Sequence, residues 1–195
     1  MLLKIVQIGH PVLRGAARPL TRDQIRSPEI QGLIEWMRET MYDAPGVGLA
    51  APQVGLGLQL AVIEDRADLL ESMPPEHLAE RNRKPVPFQV LINPRIETAG
   101  DSVEFFEGCL SVSGFAALVP RFTEARVDCL DHRGEPISFH AEGWHARIVQ
   151  HEVDHLFGTV YIDRMHTRSL ATTAHLSRYW GDLPTAELKK RLAIE

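Results

Sequence analysis

Apolar and polar residues follow two different rhythms along this chain. Between residues 27 and 43 the rhythm is helical: Ile30, Leu33, Ile34, Met37 and Met41 recur at helical spacing on one face. Ser27 and Pro28 stand where a helix cap and a first helical residue belong. The middle of the chain reads differently. Short apolar runs at Leu58 to Ile63, Gln89 to Ile92, Val103 to Phe106, Ala116 to Val119, Ala125 to Leu130 and Pro136 to His140 predict strands. His132 to Glu135 is a turn between the last two. Residues 1 to 8 are expected to be extended, and Tyr161-Ile162 to begin an extended or connecting segment. The helical pattern returns over Gly143 to Phe157, which lacks proline and is closed by Gly158. A short terminal helix is predicted from Pro184 to about Ala193, with Leu188 and Leu192 on one side. Asp65 to Pro87, charged and proline-bearing, is expected to be a long surface loop with one helical turn near Glu76 to Arg83. Strands in the middle and helices at the ends predict an α+β fold with mostly antiparallel sheet.

Length and charge narrow the field. With 195 residues, of which 44% are hydrophobic, the expectation is one domain over residues 1–195. The net charge of −5 gives no sign of a nucleic-acid surface. No apolar run approaches the roughly 20 residues that span a membrane. The first residues, Met1-Leu2-Leu3-Lys4, lack a basic leader or a transit-like segment, as expected of a cytoplasmic bacterial protein. A processed organellar form is the other reading.

The sharpest chemical signal is His151-Glu152-Val153-Asp154-His155. Two histidines four apart on a helix share one face, so both imidazoles can reach one metal ion while Glu152 reaches a water beside it. A catalytic site needs a third ligand and an open position. The extended peptidase pattern HExxHxxGxxH is followed through Gly158 but fails at Tyr161. The downstream carboxylates Asp163, Asp182, Glu187 and Glu195 lie in no clear helix following closely. Upstream, Glu107-Gly108-Cys109-Leu110-Ser111 offers a thiolate, a strong ligand for a borderline-soft divalent metal. The only other cysteine, Cys129, sits in a predicted strand and reads as a small buried apolar residue. A closed structural metal site would need a fourth protein ligand, for which Cys129, His140 and His145 are the candidates.

A third stretch, Gly46-Val47-Gly48-Leu49-Ala50-Ala51-Pro52-Gln53, superficially matches a dinucleotide fingerprint. It follows a helix rather than a strand, and Pro52 would interrupt a helix starting there. A glycine loop ending in a glutamine that both donates and accepts suits a substrate-binding wall.

GVGLAAPQ, EGCLS and HEVDH, in this order, resemble the three signatures of peptide deformylases. The likeness runs from Ile8-Gly9-His10-Pro11-Val12-Leu13 to about Arg164-Met165, and is nearest the organellar-type branch through Ser113-Gly114-Phe115, Val119-Pro120-Arg121 and Gly143-Trp144-His145-Ala146-Arg147-Ile148. The resemblance implies a central helix bearing HExxH, packed among small sheets. It implies a hydrolase that removes the formyl group from formyl-methionine at the start of new polypeptides; an HExxH zinc metallopeptidase is the runner-up. Cys109, His151 and His155 would hold the metal: ferrous iron, with zinc, nickel or cobalt as substitutes. Glu152 would be the base, and Gln53 with the Leu110 backbone N–H the oxyanion donors. Val47, Gly48, Phe105, Gly108, Trp144 and Ile148 would bind substrate. Glu107 and Asp154 would organise the site rather than react. Many relatives carry Arg where this chain has Ala116, and there it can hold the peptide backbone; that hold on later substrate residues is missing here. The resemblance also brings transient ribosome association and a homodimer into view.

Overall fold

A computed structural model describes residues 1–71, 73–181 and 183–194. Two of the downstream carboxylates weighed above, Asp182 and Glu195, lie outside them. Six strands form one sheet: β1 (Gly48–Ala50), β2 (Leu60–Asp65), β3 (Val86–Cys109), β4 (Val112–Leu130), β5 (Pro136–Glu142) and β6 (Ala171–Thr172). They run in the order β1-β2-β3-β4-β5, with β6 on β4, and every named pair is antiparallel. The helices are α1 (Arg22–Ile25), α2 (Pro28–Asp43), α3 (Ala67–Leu70), α4 (Pro75–Glu80), α5 (Gly143–Leu156), α6 (Thr173–Tyr179) and α7 (Thr185–Leu192).

The two long helices explain the apolar runs. Along β2, Leu60 and Val62 join the core under α2 with Leu33, Ile34, Met37 and Met41. Ala61 and Ile63 join the core under α5 with Val149, Val153 and Leu156. On β3, Val90 and Ile92 follow the first set and Leu91 the second. A strand alternates its side chains between faces, so one buried on both sides reads as continuously apolar. The sheet between α2 and α5 therefore fixes α5 at its back.

Several expectations change. The predicted strands at Gln89 and Val103 are parts of one 24-residue strand, β3, and those at Ala116 and Ala125 belong to β4, of 19 residues. The intervening positions, Arg95 to Ser102, are largely polar and mostly exposed, so an apolar-run criterion passes over them, yet Arg95 to Ala99 and Ser102 pair with β4. Positive φ at Asn93 (51°) and Gly100 (77°) accompanies the register shifts that bend this long hairpin. Tyr161–Asp163 is a 3₁₀ turn, not extended chain. The 65–87 segment carries two helical pieces, α3 and α4, instead of one. Residues 1 to 8 form a strap outside the sheet, where Val6 N–H donates to Gln53 O (2.9 Å) and Ile8 N–H to Ser111 O (2.7 Å).

Candidate metal centre

Cys109 is the last residue of β3, where the chain turns back to Val112. Beneath it runs α5. Cys109 Sγ stands 3.3 Å from His155 Nε2, and one ligand atom from each of Cys109, His151 and His155 lies within 4.8 Å of the others. These three form the metal-capable group among the described residues. A thiolate and two imidazoles at the foot of a cleft suit a borderline divalent metal. None of the alternative ligands joins them. Asp163 pairs with Arg14, Glu187 with Arg191, and His140 with Glu124 and Glu142. His145 lies against Gln89, and Cys129 is buried in the core, its thiol pushed up to about 11 by burial.

The surroundings orient the histidines. His151 Nδ1 is 3.0 Å from Glu107 Oε2. A carboxylate only accepts, so Nδ1 carries the proton and Nε2 is left to face the metal position. Glu107 is itself held from three sides: Arg121 reaches both of its oxygens (3.0 and 3.1 Å), and Arg147 Nη1 donates to Oε1 at 2.6 Å. Burial alone would raise its pKa. The His151 hydrogen bond and the Arg121 charge outweigh burial and hold the carboxyl well below its usual range. The second carboxylate, Asp154, accepts from Arg121 (2.5 Å) and from Arg164 (2.6 and 2.7 Å), locking α5 to β4 and to the following turn. Tyr161 stacks on His151 at 6.3 Å between ring centres.

Glu152 is buried, and among the described residues its Oε2 has no partner. Burial pushes its pKa up to about 7, with Glu107 adding to the rise. A metal cation beside it would favour the ionised form instead. Gly48 explains the glycine loop: a Cβ there would come within 2.3 Å of Glu152 Oε1. Gln53 is buried, and its Oε1 accepts from Ala50 N–H at 2.8 Å. That bond turns Nε2 toward Cys109 Sγ, 3.4 Å away. The carbonyl of Leu110 accepts from Gln7 Nε2 (3.0 Å), and Ser111 N–H points at Cys109 Sγ (3.4 Å), so the residues after the cysteine are fixed in place.

Gln7, Gln53, Glu107, Cys109, Leu110, His151 and Glu152 line a cleft of about 610 Å³ together with Val47, Gly48, Gly108, Trp144 and Ile148. Phe105 does not. It lines a smaller cavity of about 190 Å³ behind Trp144 and Arg147, both of which line the two cavities and form the wall between them. Its ring meets Trp144 edge-on at 6.2 Å, so it backs the cleft wall. Ala116 is buried, paired to Gly108 on one side and to Ala171 of β6 on the other. Sequence reading had no role for Arg121 and Arg147, although both lie in quoted segments. Two cationic residues in strand and helix contexts, near a carboxylate needed at a metal, were the available signal.

The polypeptide deformylase family model matches residues 2–170. This chain belongs to the polypeptide deformylase family. Peptide deformylase 1 of Streptomyces coelicolor is 50% identical over 194 residues, covering 99% of this chain and 87% of its own. The mitochondrial peptide deformylase of Homo sapiens is 41% identical over 177 residues, 90% of this chain and 71% of that protein. The class I type b peptide deformylase of Acinetobacter baumannii, solved with Met-Ala-Ser bound, superposes with a TM-score of 0.75 at 30% identity, covering 85% of this chain and 99% of that one. The mitochondrial relative is thus less similar to this chain than a bacterial one is. An α+β deformylase fold carries the Cys-His-His group, and the chain is an enzyme of this type.

Proposed function

We propose that this protein hydrolyses the formyl group from the N-terminal formyl-methionine of newly synthesised polypeptides, releasing formate. The observation that carries this reading is the meeting of Cys109 with both HExxH histidines, where Cys109, His151 and Glu152 line the cleft. A metallopeptidase reading has no use for a thiolate there.

A divalent metal held by Cys109, His151 and His155 would supply Lewis-acid polarisation and lower the pKa of water. The remaining work falls to the chain. Backbone groups of Val47, Gly48 and Gly108 hold the peptide extended, like an added strand. Trp144 and Ile148 enclose the methionine side chain, burial of which is worth roughly 1.5–3 kcal/mol. Glu152 accepts a proton from the attacking water and returns it to the departing amine. The water oxygen bonds to the formyl carbon, the C–N bond breaks, and formate and a free N-terminus result. Gln53 Nε2 and the Leu110 N–H donate to the oxygen that gains charge; one such donor is typically worth about 10²–10³ in kcat.

On the family resemblance, ferrous iron is the working metal in this reading, with zinc, nickel or cobalt as substitutes; its readiness to expand coordination suits the arrival of the formyl oxygen. The reading extends to one catalytic domain over residues 1–195, a cytoplasmic setting, transient contact with the ribosome and a homodimer. Bacterial relatives support the setting, and no helix among the described residues is long and apolar enough to cross a membrane. The test is anaerobic purification, metal analysis and assay on formyl-Met-Ala-Ser. Formate should appear in equal amount to new amino termini, with no internal cleavage. Internal cleavage without formate would favour the peptidase.

A further inference from the structure

The 65–87 segment looked like a surface excursion by sequence, yet it touches the cleft. Arg83 lines the cleft wall. Its guanidinium is held by the wholly buried Asp65 through two bonds, Nε to Oδ2 at 2.7 Å and Nη2 to Oδ1 at 2.9 Å, while Nη1 donates to Met73 Sδ at 3.3 Å. Every arm of the fork is thus tied down. The carbon of that guanidinium lies 5.1 Å from the centre of the Trp144 ring. Arg81 approaches the same ring at 5.3 Å and Phe105 at 5.6 Å. The contact with α5 is close: Gly143, at φ 58°, has Asn82 O where a Cβ would come within 2.6 Å. Residues 81–83 therefore press on the first turn of α5, which carries Trp144.

From these contacts, we infer that Arg83, clamped by Asp65 and packed on Trp144, is a specificity-determining residue that sets the size of the pocket for the first substrate side chain. This rests on the deformylase reading of the cleft. Trp144 sits in the first turn of α5, away from the histidines, with Arg83 and Arg81 of the 65–87 segment over its ring. A planar cation on an aromatic face holds that ring better than a flexible ammonium does. With the clamp intact the wall cannot retreat and the pocket stops at an unbranched side chain of methionine length. With the clamp loosened Trp144 turns outward and bulkier side chains enter.

The experiment compares kcat/KM for formyl-Met-Ala-Ser and formyl-Phe-Ala-Ser in the metal-loaded wild type, Arg83→Met, Arg83→Lys and Asp65→Asn. The Met-over-Phe preference should fall roughly tenfold or more in Arg83→Met, the low end of the scale on which apolar pockets discriminate by size. The loss should appear mainly as a higher KM for the Met peptide and a lower KM for the Phe peptide, with kcat moving far less. Arg83→Lys, which keeps the charge opposite Asp65 but not the flat face, should shift the preference in the same direction. Asp65→Asn should do so as well. Circular dichroism and metal content identify variants that do not fold; Arg83→Lys then carries the test. A preference unchanged within twofold in folded Arg83→Met, or in Arg83→Lys where the first does not fold, overturns the inference. If wild type releases no formate from either peptide, the deformylase reading itself falls.

Discussion

Glu107 Oε2 and His151 Nδ1 stand 3.0 Å apart in the interior, joining the end of β3 to the first histidine of the α5 motif, 44 residues later. The same carboxylate binds Arg121 and Arg147, so one buried anion both aims an imidazole and neutralises two cations.

Glu107→Gln should therefore weaken metal binding by about 10–100-fold, the usual penalty for losing a partner behind a ligand histidine. It should also cost about 3–5 kcal/mol of stability, because two buried guanidiniums lose their counter-charge. The carboxyl pKa is depressed in the fold, so its stabilisation is complete above the unfolded value of about 4.3 and is lost as pH falls through the lower folded value. Melting of the metal-free protein from pH 5 to pH 2 should steepen in wild type and flatten in the variant. Parallel curves would remove Glu107 from the account.

Glu152→Gln keeps size and burial but cannot accept a proton. Metal content should be retained and kcat should drop by about 10²–10⁴. A variant with near-normal kcat would show that another group is the base.

Gly48→Ala is the steric counterpart. The new methyl would stand 2.3 Å from Glu152 Oε1, so either the carboxylate or the loop must move. Activity should fall nearly as far as in Glu152→Gln while metal content is unchanged. Retention of activity would mean that the loop yields without disturbing Glu152.

Formyl-Met peptides should be processed much faster than acetyl-Met peptides. The acetyl methyl needs space beside the formyl carbon, between the metal position and Gln53 and Leu110, which line the cleft there. Equal rates on matched peptides would contradict that constraint.

The preference for iron comes from the family resemblance, since a Cys-His-His set suits zinc, iron, cobalt and nickel alike. Anaerobic iron-loaded enzyme should outperform a matched zinc form, and activity should decay in air as ferrous iron and the Cys109 thiolate oxidise. A fully loaded zinc enzyme of equal kcat/KM would end the preference for iron.

Local rules of the chain determined much of this protein without any structure. Helical spacing puts His151 and His155 on one face, Ser27-Pro28 starts α2, and the apolar stripe of α2 is its buried face. These are relations between residues a few positions apart, and backbone geometry alone enforces them. Only the tertiary structure decided the rest. The bidentate Arg121–Glu107 pair spans 14 residues and the Arg147–Glu107 bond spans 40, and neither has a periodic signature. Phe105 lies behind the cleft wall because Trp144 and Arg147 come between, which depends on how α5 sits on β3. The 65–87 segment reads as surface by composition, since its Asp and Arg are charged. They cancel each other only when β2 and the segment after α4 are brought together, and that pairing turns a polar excursion into the wall of the site.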